Sequence, residues 1–239
     1  MTEPSARRPS VRTWIALAVA LTVVAAIAVV VAVTGQQQAP QPAAATTDPS
    51  RSSSSTAPIP SSPEPPVPEA PGTPAADAPV VAAPAVAAPV SVGIPSIDVA
   101  SDLMRLDLND DGTVEVPPLE PDDKAGWYQR GPAPGAVGPA VILGHVDSAE
   151  HGPGIFFDLG ALQPGDEVEV ARADGTVAVF AVDRVERHPK NQFPTIEVYG
   201  NTSDAQLRLI TCGGDFDSGV RSYEDNVIAF ATLTGTRPA

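Results

Sequence analysis

The chain is organised around a stretch of eight residues, Leu207-Arg208-Leu209-Ile210-Thr211-Cys212-Gly213-Gly214. Its leucine and β-branched residues predict a strand that leads up to Cys212, the only cysteine of the sequence. Gly213 and Gly214 predict that this strand ends directly after the sulfur, and they leave open backbone that a substrate chain can approach. Because a free cysteine is more often a small buried apolar residue, the surrounding sequence has to decide between structure and chemistry.

The overall charge of the chain argues against polyanionic partners. Of 239 residues, 29 are Asp or Glu and 14 are Lys or Arg, so the formal net charge is −15. Such a chain gives no electrostatic support to nucleic-acid binding. A single cysteine excludes a thiolate-rich zinc site, and no His/Glu pair shows the helical spacing of metal ligands. Neither a metal nor another cofactor is therefore expected.

A long apolar run near the N-terminus predicts a membrane anchor. Residues 14–33 contain apolar side chains and one threonine, and about 20 such residues in a helix span the roughly 30 Å of a bilayer core. Arg7, Arg8 and Arg12 precede the run, and the positive-inside rule keeps them in the cytoplasm. We expect a single-pass cell-membrane protein with residues 1–13 cytoplasmic and the rest extracytoplasmic. A cleaved signal peptide is the alternative, although its apolar region is usually only about 7–15 residues long.

The next segment, residues 34–89, has the composition of a tether. It is rich in Pro, Ala and Ser, and such a composition buries too little apolar surface to offset the entropy of ordering. As a coil its end-to-end distance is on the order of 40 Å. We expect a disordered linker that holds a folded domain, residues 90–239, clear of the membrane.

Residues 90–239 have the pattern of an all-β domain. Apolar or alternating runs between turn residues predict seven strands, at residues 90–99, 113–116, 140–143, 167–171, 177–187, 207–211 and 226–231. Asp174-Gly175 predicts a hairpin with a type I′ turn, and a short helix is expected at residues 155–162. Seven short strands in about 140 residues favour a closed barrel or a sandwich.

His145 ends a second apolar run, Val141-Ile142-Leu143-Gly144-His145-Val146-Asp147. Taken alone, a histidine at a strand end is more often a structural hydrogen-bonding residue than a catalytic one. An odd cysteine outside the cell risks wrong disulfides, however, and a nucleophile is the usual reason for keeping one. His145 is thus the candidate acid/base, whereas His151 and His188 lie in polar segments and are expected to be solvated.

Arg221 is the third candidate and lies in the polar loop that follows the thiol. An arginine at the mouth of the next strand can present fixed N–H donors to a developing oxyanion. The alternative is a salt bridge within the loop, to Asp217 or Asp225. Position in the sequence leaves both interpretations open.

In this order the three segments resemble the sortase family. The resemblance is carried by Gly-His-Val-Asp at 144–147, Leu-Ile-Thr-Cys-Gly-Gly at 209–214 and Arg-Ser-Tyr-Glu-Asp-Asn at 221–226. Further matches are Ile-Pro-Ser-Ile-Asp-Val at 94–99, Gly-Trp-Tyr at 126–128 and Phe-Pro-Thr at 193–195. The chain is most similar to class F sortases of actinobacteria, over about residues 90–232.

The resemblance implies a closed eight-stranded β-barrel with short helices. It implies that Cys212 is the nucleophile, His145 the general acid/base and Arg221 the oxyanion-stabilising residue, with Thr211 lining the substrate groove. Arg208, on the cysteine strand, is a lesser candidate for the arginine.

The activity that the resemblance implies is transpeptidation on surface proteins. Their C-terminal LPxTG-like sorting signal is cleaved through a thioester, and the acyl group passes to an amine of a peptidoglycan precursor. Another cysteine acyl-transferase or peptidase of the cell envelope is the enzymatic alternative; an order of Cys before His, or a Ser-His-Gly-Cys run, would favour it. A tethered, non-enzymatic wall-binding module is the alternative from a different class.

Overall fold

The computed structural model of the protein describes residues 38–42 and 85–239. The predicted cytoplasmic residues 1–13, the membrane helix 14–33 and most of the linker 34–89 lie outside these residues. Within the described ranges, no helix is long and apolar enough to cross a membrane.

Ten strands and one short α-helix account for most of the regular structure in residues 85–239. The strands are β1 Pro89–Ile94, β2 Val99–Leu106, β3 Ala125–Tyr128, β4 Gly138–Leu143, β5 Asp147–Ser148, β6 Gly152–Pro153, β7 Glu167–Arg172, β8 Thr176–Pro189, β9 Ala205–Asp217 and β10 Ser222–Pro238. Helix α1 is Thr195–Tyr199, and 3₁₀ turns lie at Pro95–Ile97, Leu159–Ala161 and Lys190–Gln192.

Eight of these strands close a barrel, in the order β1-β2-β3-β4-β9-β10-β8-β7, and β5 and β6 form a separate two-stranded sheet. The β2/β3 and β4/β9 pairs are parallel, and the other pairs of the barrel are antiparallel. The all-β, closed eight-stranded barrel is therefore confirmed.

Strand β9 lies between β4 and β10 in the barrel wall and has one apolar cluster on each of its two faces. Leu207 and Leu209 belong to the large cluster that fills the barrel interior. Ile210 points to the opposite face, where it packs with Phe230 and with Val198 of α1. This division follows from the period of two along a strand, since successive side chains point to opposite faces. The outer face of β4, β9 and β10 is thus apolar, and α1 packs against it.

Several predicted boundaries are wrong, for local reasons. The strand predicted at residues 90–99 is divided by the turn Pro95–Ile97, because proline lacks the N–H that a ladder needs. No strand forms at residues 113–116, where Val114 makes a single bridge to Leu108. Strands β2 and β3 were not predicted: β2 carries polar residues and β3 has only four residues.

The loop regions also differ from expectation. Only the turn Leu159–Ala161 forms where a helix was predicted at residues 155–162. The hairpin at Asp174-Gly175 is confirmed, but the type I′ turn is wrong. Gly175 has a φ of +77° whereas Asp174 has no positive φ, and the N–H of Gly175 donates to the carbonyl of Arg172 at 3.1 Å. This is a type I turn followed by a left-handed glycine, the usual three-residue hairpin loop.

Candidate active site

The parallel pairing of β4 with β9 brings His145 beside Cys212. Leu143 is the register partner of Ile210, and the N–H of Gly144 donates to the carbonyl of Ile210 at 3.1 Å. His145 and Cys212 each lie two residues beyond this pair, on neighbouring chain segments that are about 4.8 Å apart. Both are half-buried. The two residues that the sequence singled out are therefore adjacent.

Both side chains also belong to the same face of the sheet. Leu143 packs against the outer cluster that contains Ile210, and Cys212 follows Ile210 by two residues. The period of two along β9 carries Cys212 to this outer face. His145 follows Gly144, whose missing Cβ would point at the ring of Phe156 in the interior cluster, so the side chain of His145 points the other way. A thiol and an imidazole on one open face can exchange a proton and contact the same substrate.

A backbone carbonyl holds the imidazole of His145. Its Nε2 lies 2.7 Å from the carbonyl oxygen of Pro117. A carbonyl oxygen can only accept a hydrogen bond, so Nε2 carries the proton and Nδ1 is the nitrogen left to exchange one. The carbonyl thus has the orienting role that a carboxylate has in other catalytic sites.

The backbone of His145 is fixed by the loop that follows β6. The N–H of Phe156 donates to the carbonyl of His145 at 2.9 Å, and the N–H of Gly154 donates to that of Val146 at 2.8 Å. A Cβ on Gly144 would lie 2.6 Å from Cδ2 of Phe156, a fully buried ring. Glycine at 144 therefore allows this ring to pack directly behind the histidine.

Strand β9 does not end at Gly213-Gly214, contrary to the sequence-based expectation. It continues to Asp217 because β10 pairs with it on the far side of the glycines, at Tyr223↔Phe216 and Ser222↔Asp217. The Tyr223 hydroxyl donates to Asp147 Oδ2 at 2.6 Å. This bond joins the hairpin that carries Cys212 to the segment that carries His145. Burial, then the bond to Asp147, raises the pKa of Tyr223 well above its usual value.

Thr211 lies on the opposite face from Cys212. Its side chain is only 4% exposed, and its Oγ1 is buried without a hydrogen-bond partner among the described residues. A contact of Thr211 with substrate therefore stays a prediction, and it would have to form on the face of the sheet opposite the thiol.

Arg221 lies on the exposed turn between β9 and β10, with a φ of +54°. Neither loop salt bridge considered from the sequence is present. Asp217 Oδ1 accepts from the N–H groups of Gly219 and Val220 at 2.7 and 3.3 Å, and Asp225 pairs with Arg187 at 3.3 Å. The guanidinium of Arg221 makes no ion pair within the described part of the chain.

Arg208, the lesser candidate, has a structural environment. It is 4% exposed, its Nε donates to the carbonyl of Glu197 in α1 at 3.1 Å, and its guanidinium lies 4.7 Å from the ring centre of Phe230. Burial, then the nearby Arg184, lowers its pKa to about 10. Four residues separate it from Cys212, about 13 Å along a strand. Arg208 thus holds α1 on the barrel wall.

The other two histidines differ from each other. His151 is exposed, as predicted. His188 lies on β8 rather than in a loop, its side chain is 13% exposed, and its Nε2 is 3.0 Å from Glu186 Oε2; the prediction of a solvated residue is wrong. It is two strands away from Cys212, about 10 Å, so His145 is the closer base. Among the described residues, no cluster of His, Cys, Asp and Glu could hold a metal ion.

A short piece of the predicted linker contacts the folded domain. The N–H of Gly214 donates to Gln41 Oε1 at 2.9 Å. A Cβ on Gly160 would lie 2.0 Å from the carbonyl oxygen of Pro40. Residues 40–42 therefore pass beside the two glycines that follow the nucleophile, which the composition of the linker did not predict.

Sequence reasoning did not identify three groups at the site. Asn226 is the register partner of Cys212, and the Pro117 carbonyl holds His145. Tyr223 connects the β9–β10 hairpin to the segment that follows β4. Asn226 and Tyr223 lie within the quoted segment 221–226. Counting back from the turn would nevertheless have placed Val227 opposite Cys212, because the register shifts between Tyr223 and Asp225. Nothing in the local sequence indicates the carbonyl.

Solved structures similar to this chain are sortases of low sequence identity. Sortase A of Listeria monocytogenes is 20% identical with a TM-score of 0.46, and the match covers 64% of this chain and 91% of that one. SrtA of Actinomyces oris is 20% identical with a TM-score of 0.47, covering 66% and 89%. A lid mutant of Corynebacterium diphtheriae sortase A is 21% identical with a TM-score of 0.45, covering 64% and 71%. No curated protein matches the chain.

The family profile described as "Sortase domain" matches residues 92–234. This range is more than half of the 239 residues and contains His145, Cys212 and Arg221. The chain therefore belongs to the sortase family, whose members are cysteine transpeptidases.

Proposed function

We propose that the protein is a class F sortase that attaches surface proteins covalently to the cell wall. The observation that carries the proposal is the register of β4 with β9, which puts His145 beside the only cysteine on one face of a sortase-family domain. The class F assignment is supported by the segments at 94–99, 126–128, 144–147 and 209–214. The substrate is an LPxTG-like sorting signal at the C-terminus of a surface protein.

In the proposed reaction the Cys212 thiolate adds to the carbonyl carbon of the scissile peptide bond. The carbon–nitrogen bond then breaks, and His145 gives its proton to the departing amine, which leaves a thioester on Cys212. An amine of a peptidoglycan precursor attacks the thioester and releases the thiol. Arg221 stabilises the oxyanions on either side of the thioester, and Thr211 contacts the substrate. No cofactor takes part.

We propose further that residues 14–33 anchor the protein in the cell membrane, with its catalytic domain outside the cytoplasm. The supporting observation is the apolar run itself, preceded by three arginines. N-terminal sequencing of protein extracted from membranes tests this proposal. An intact N-terminus supports the anchor, and a mature N-terminus beyond residue 33 would show that the run is a cleaved signal peptide.

The activity is tested with the full-length protein in detergent and a library of Leu-Pro-x-Thr-Gly-like peptides, with and without an added amine. We expect a thioester on Cys212 by mass spectrometry and an amine-dependent transfer product. Cys212→Ala should abolish both, and His145→Ala should lower turnover at least about 10²-fold, the low end of general acid–base contributions. His151→Ala is the matched control, because His151 is exposed.

Three outcomes would contradict parts of this proposal. A thioester trapped in the Cys212→Ala protein would exclude Cys212 as the nucleophile. Hydrolysis that is never diverted by any amine would favour a cell-envelope peptidase. Binding to peptidoglycan without any product, from any peptide, would favour the non-enzymatic wall-binding module.

A further inference from the structure

Asn226 lies directly across the sheet from the nucleophile. In the antiparallel pair of β9 with β10, Cys212 is the register partner of Asn226, and the next pair along is Thr211 with Val227. Directly opposed residues have their Cβ atoms about 4.5–5.5 Å apart and their side chains on the same face. The Asn226 side chain therefore stands beside the Cys212 thiol.

The alternation of β10 supports the same placement. Val227 and Ala229 belong to the interior cluster, whereas Ile228 and Phe230 belong to the outer one. Asn226 precedes Ile228 by two residues and shares its face, which is the face of Cys212 and His145. The amide thus lies on the same face of the sheet as the thiol and the imidazole.

The side-chain amide of Asn226 is also available to bind a ligand. It is half-buried and, unlike the neighbouring Tyr223 and Asp225, it makes no hydrogen bond or ion pair with any residue in the described part of the chain. Because Asn226 is partly exposed, water can satisfy its amide in the free protein. Substrate binding supplies a natural partner for this group.

We propose that the Asn226 side-chain amide is an oxyanion donor of the reaction, held in place by the barrel wall. When the Cys212 sulfur bonds to the carbonyl carbon, the π electrons of that carbonyl move onto its oxygen, and Nδ2–H of Asn226 donates to the resulting anion. The anion collapses as the carbon–nitrogen bond breaks, and the amine takes its proton from His145. Asn226 keeps its own protons throughout. The proposal rests on the proposed function and adds a second donor to Arg221.

The physical reason for a second donor is the difference in rigidity between the two residues. A donor that is already in position costs no reorganisation when charge develops. Asn226 has a short side chain on a paired strand, whereas Arg221 has a long one on an exposed turn. In this proposal the guanidinium of Arg221 brings positive charge after it moves onto the substrate. The Nδ2–H of Asn226 is already oriented toward the oxyanion and does not have to move.

The test compares Asn226→Ala and Asn226→Leu with wild type, in the full-length protein and with the peptide that gives most thioester. Leucine has the branched shape of asparagine and lacks a donor, so it serves if the alanine variant does not fold. We expect kcat to fall about 10²–10³-fold with KM changed less than about three-fold, as for the loss of one oxyanion donor. The matched control is Asn201→Ala, since Asn201 is exposed in the loop that precedes β9.

Alkylation of Cys212 by iodoacetamide is the second readout. This displacement forms no oxyanion, so both Asn226 variants should be alkylated within about two-fold of the wild-type rate. An alkylation rate that falls with kcat would mean that Asn226 acts on the thiol, and a kcat within about three-fold of wild type would mean that it does not act at all. Either result overturns the proposal. Failure of the wild-type protein to form any thioester would instead overturn the proposed function.

Discussion

At the scale of single residues, the chemistry of the site follows from what each polar atom contacts. The Pro117 carbonyl accepts from Nε2 of His145 and thereby leaves Nδ1 to exchange protons. A carbonyl does not titrate, so this orientation is independent of pH. A carboxylate in the same place would lose its charge in acid. The Nε2–H of His145 can donate to this carbonyl in both the neutral and the protonated form of the ring.

At the same scale, the second polar group is the side-chain hydroxyl of Thr211. Its buried Oγ1 has no hydrogen bond to any described residue. If the hydroxyl pairs with substrate, Thr211→Val should raise KM about three- to ten-fold, because the loss of one neutral hydrogen bond corresponds to about 0.5–1.5 kcal/mol. The melting temperature should not fall, since valine has the same shape and removes a buried unpaired hydroxyl.

Steady-state kinetics and thermal unfolding of the same preparation check both parts of this prediction. Thr195→Val is the matched control, because Thr195 lies at the exposed start of α1. A KM equal to wild type together with a higher melting temperature would show that the hydroxyl is only buried and that Thr211 does not contact the substrate.

At the scale of elements, the β9–β10 hairpin and the segment after β4 are joined by one bond. Tyr223 donates to Asp147 Oδ2, and its ring packs edge-on against Phe216 with centroids 5.1 Å apart. The bond crosses from the hairpin that carries Cys212 to the residue two positions after His145. It therefore limits how far Cys212 and His145 can separate.

Tyr223→Phe should lower kcat several-fold and lower the free energy of unfolding by about 1 kcal/mol, the value of an ordinary hydrogen bond, because this bond is partly exposed. The pKa of Tyr223 is raised in the folded protein, so the protonated form is the stabilised one. Its stabilising effect is fully present below the unfolded pKa of about 10 and is lost as pH rises through the higher folded pKa. Urea unfolding of both proteins at pH 8 and at pH values above 10 measures the difference.

The control for this prediction is Tyr199→Phe, which removes a hydroxyl at a ring that packs near Tyr128 and Phe193. Unfolding free energies for Tyr223→Phe that equal wild type at every pH would contradict a role for the bond.

At the scale of the whole molecule, the linker is more than a spacer. Gln41 accepts from the N–H of Gly214, two residues after the nucleophile and hence within about 7 Å of it along the chain. Pro40 and Pro42 flank Gln41 and hold it extended, so little entropy is lost when this segment lies against the domain. The contact lies beside the two glycines that follow Cys212.

Removal of this contact should open the site. Gln41→Ala in the full-length protein should raise the alkylation rate of Cys212 and the turnover of peptide about two- to ten-fold, the effect of one neutral hydrogen bond. Gly160→Ala should act in the same way, because its new methyl would overlap the Pro40 carbonyl. Gln38→Ala, at an exposed residue, and Gly235→Ala, where a Cβ meets nothing within 4 Å, are the controls.

A protein that begins at residue 85 should be soluble and monomeric, because the barrel starts at Pro89. It should react at the rate of the Gln41→Ala variant, whereas the composition of the linker alone predicts the rate of the full chain. Equal alkylation rates for the truncated, Gln41→Ala and wild-type proteins would show that residues 40–42 leave the site open.

Local chemistry in the sequence was sufficient to predict the apolar runs that lead up to His145 and Cys212, the all-β class and the order of the motifs. These depend on periodicity and on residue types that are close together in the chain. The sequence resemblance supplied the eight-stranded barrel and the role of each residue. It did not indicate the break at Pro95, or the continuation of β9 past Gly213-Gly214.

Only the tertiary structure decided which groups lie around the thiol. Cys212 faces Asn226 because β10 pairs with β9 in one register, and a shift by one residue would have placed Val227 there instead. The Pro117 carbonyl and Gln41 lie 28 and 173 residues from their partners. Contacts at such separations depend on how the barrel closes, because no local preference of the chain determines which distant backbone groups meet.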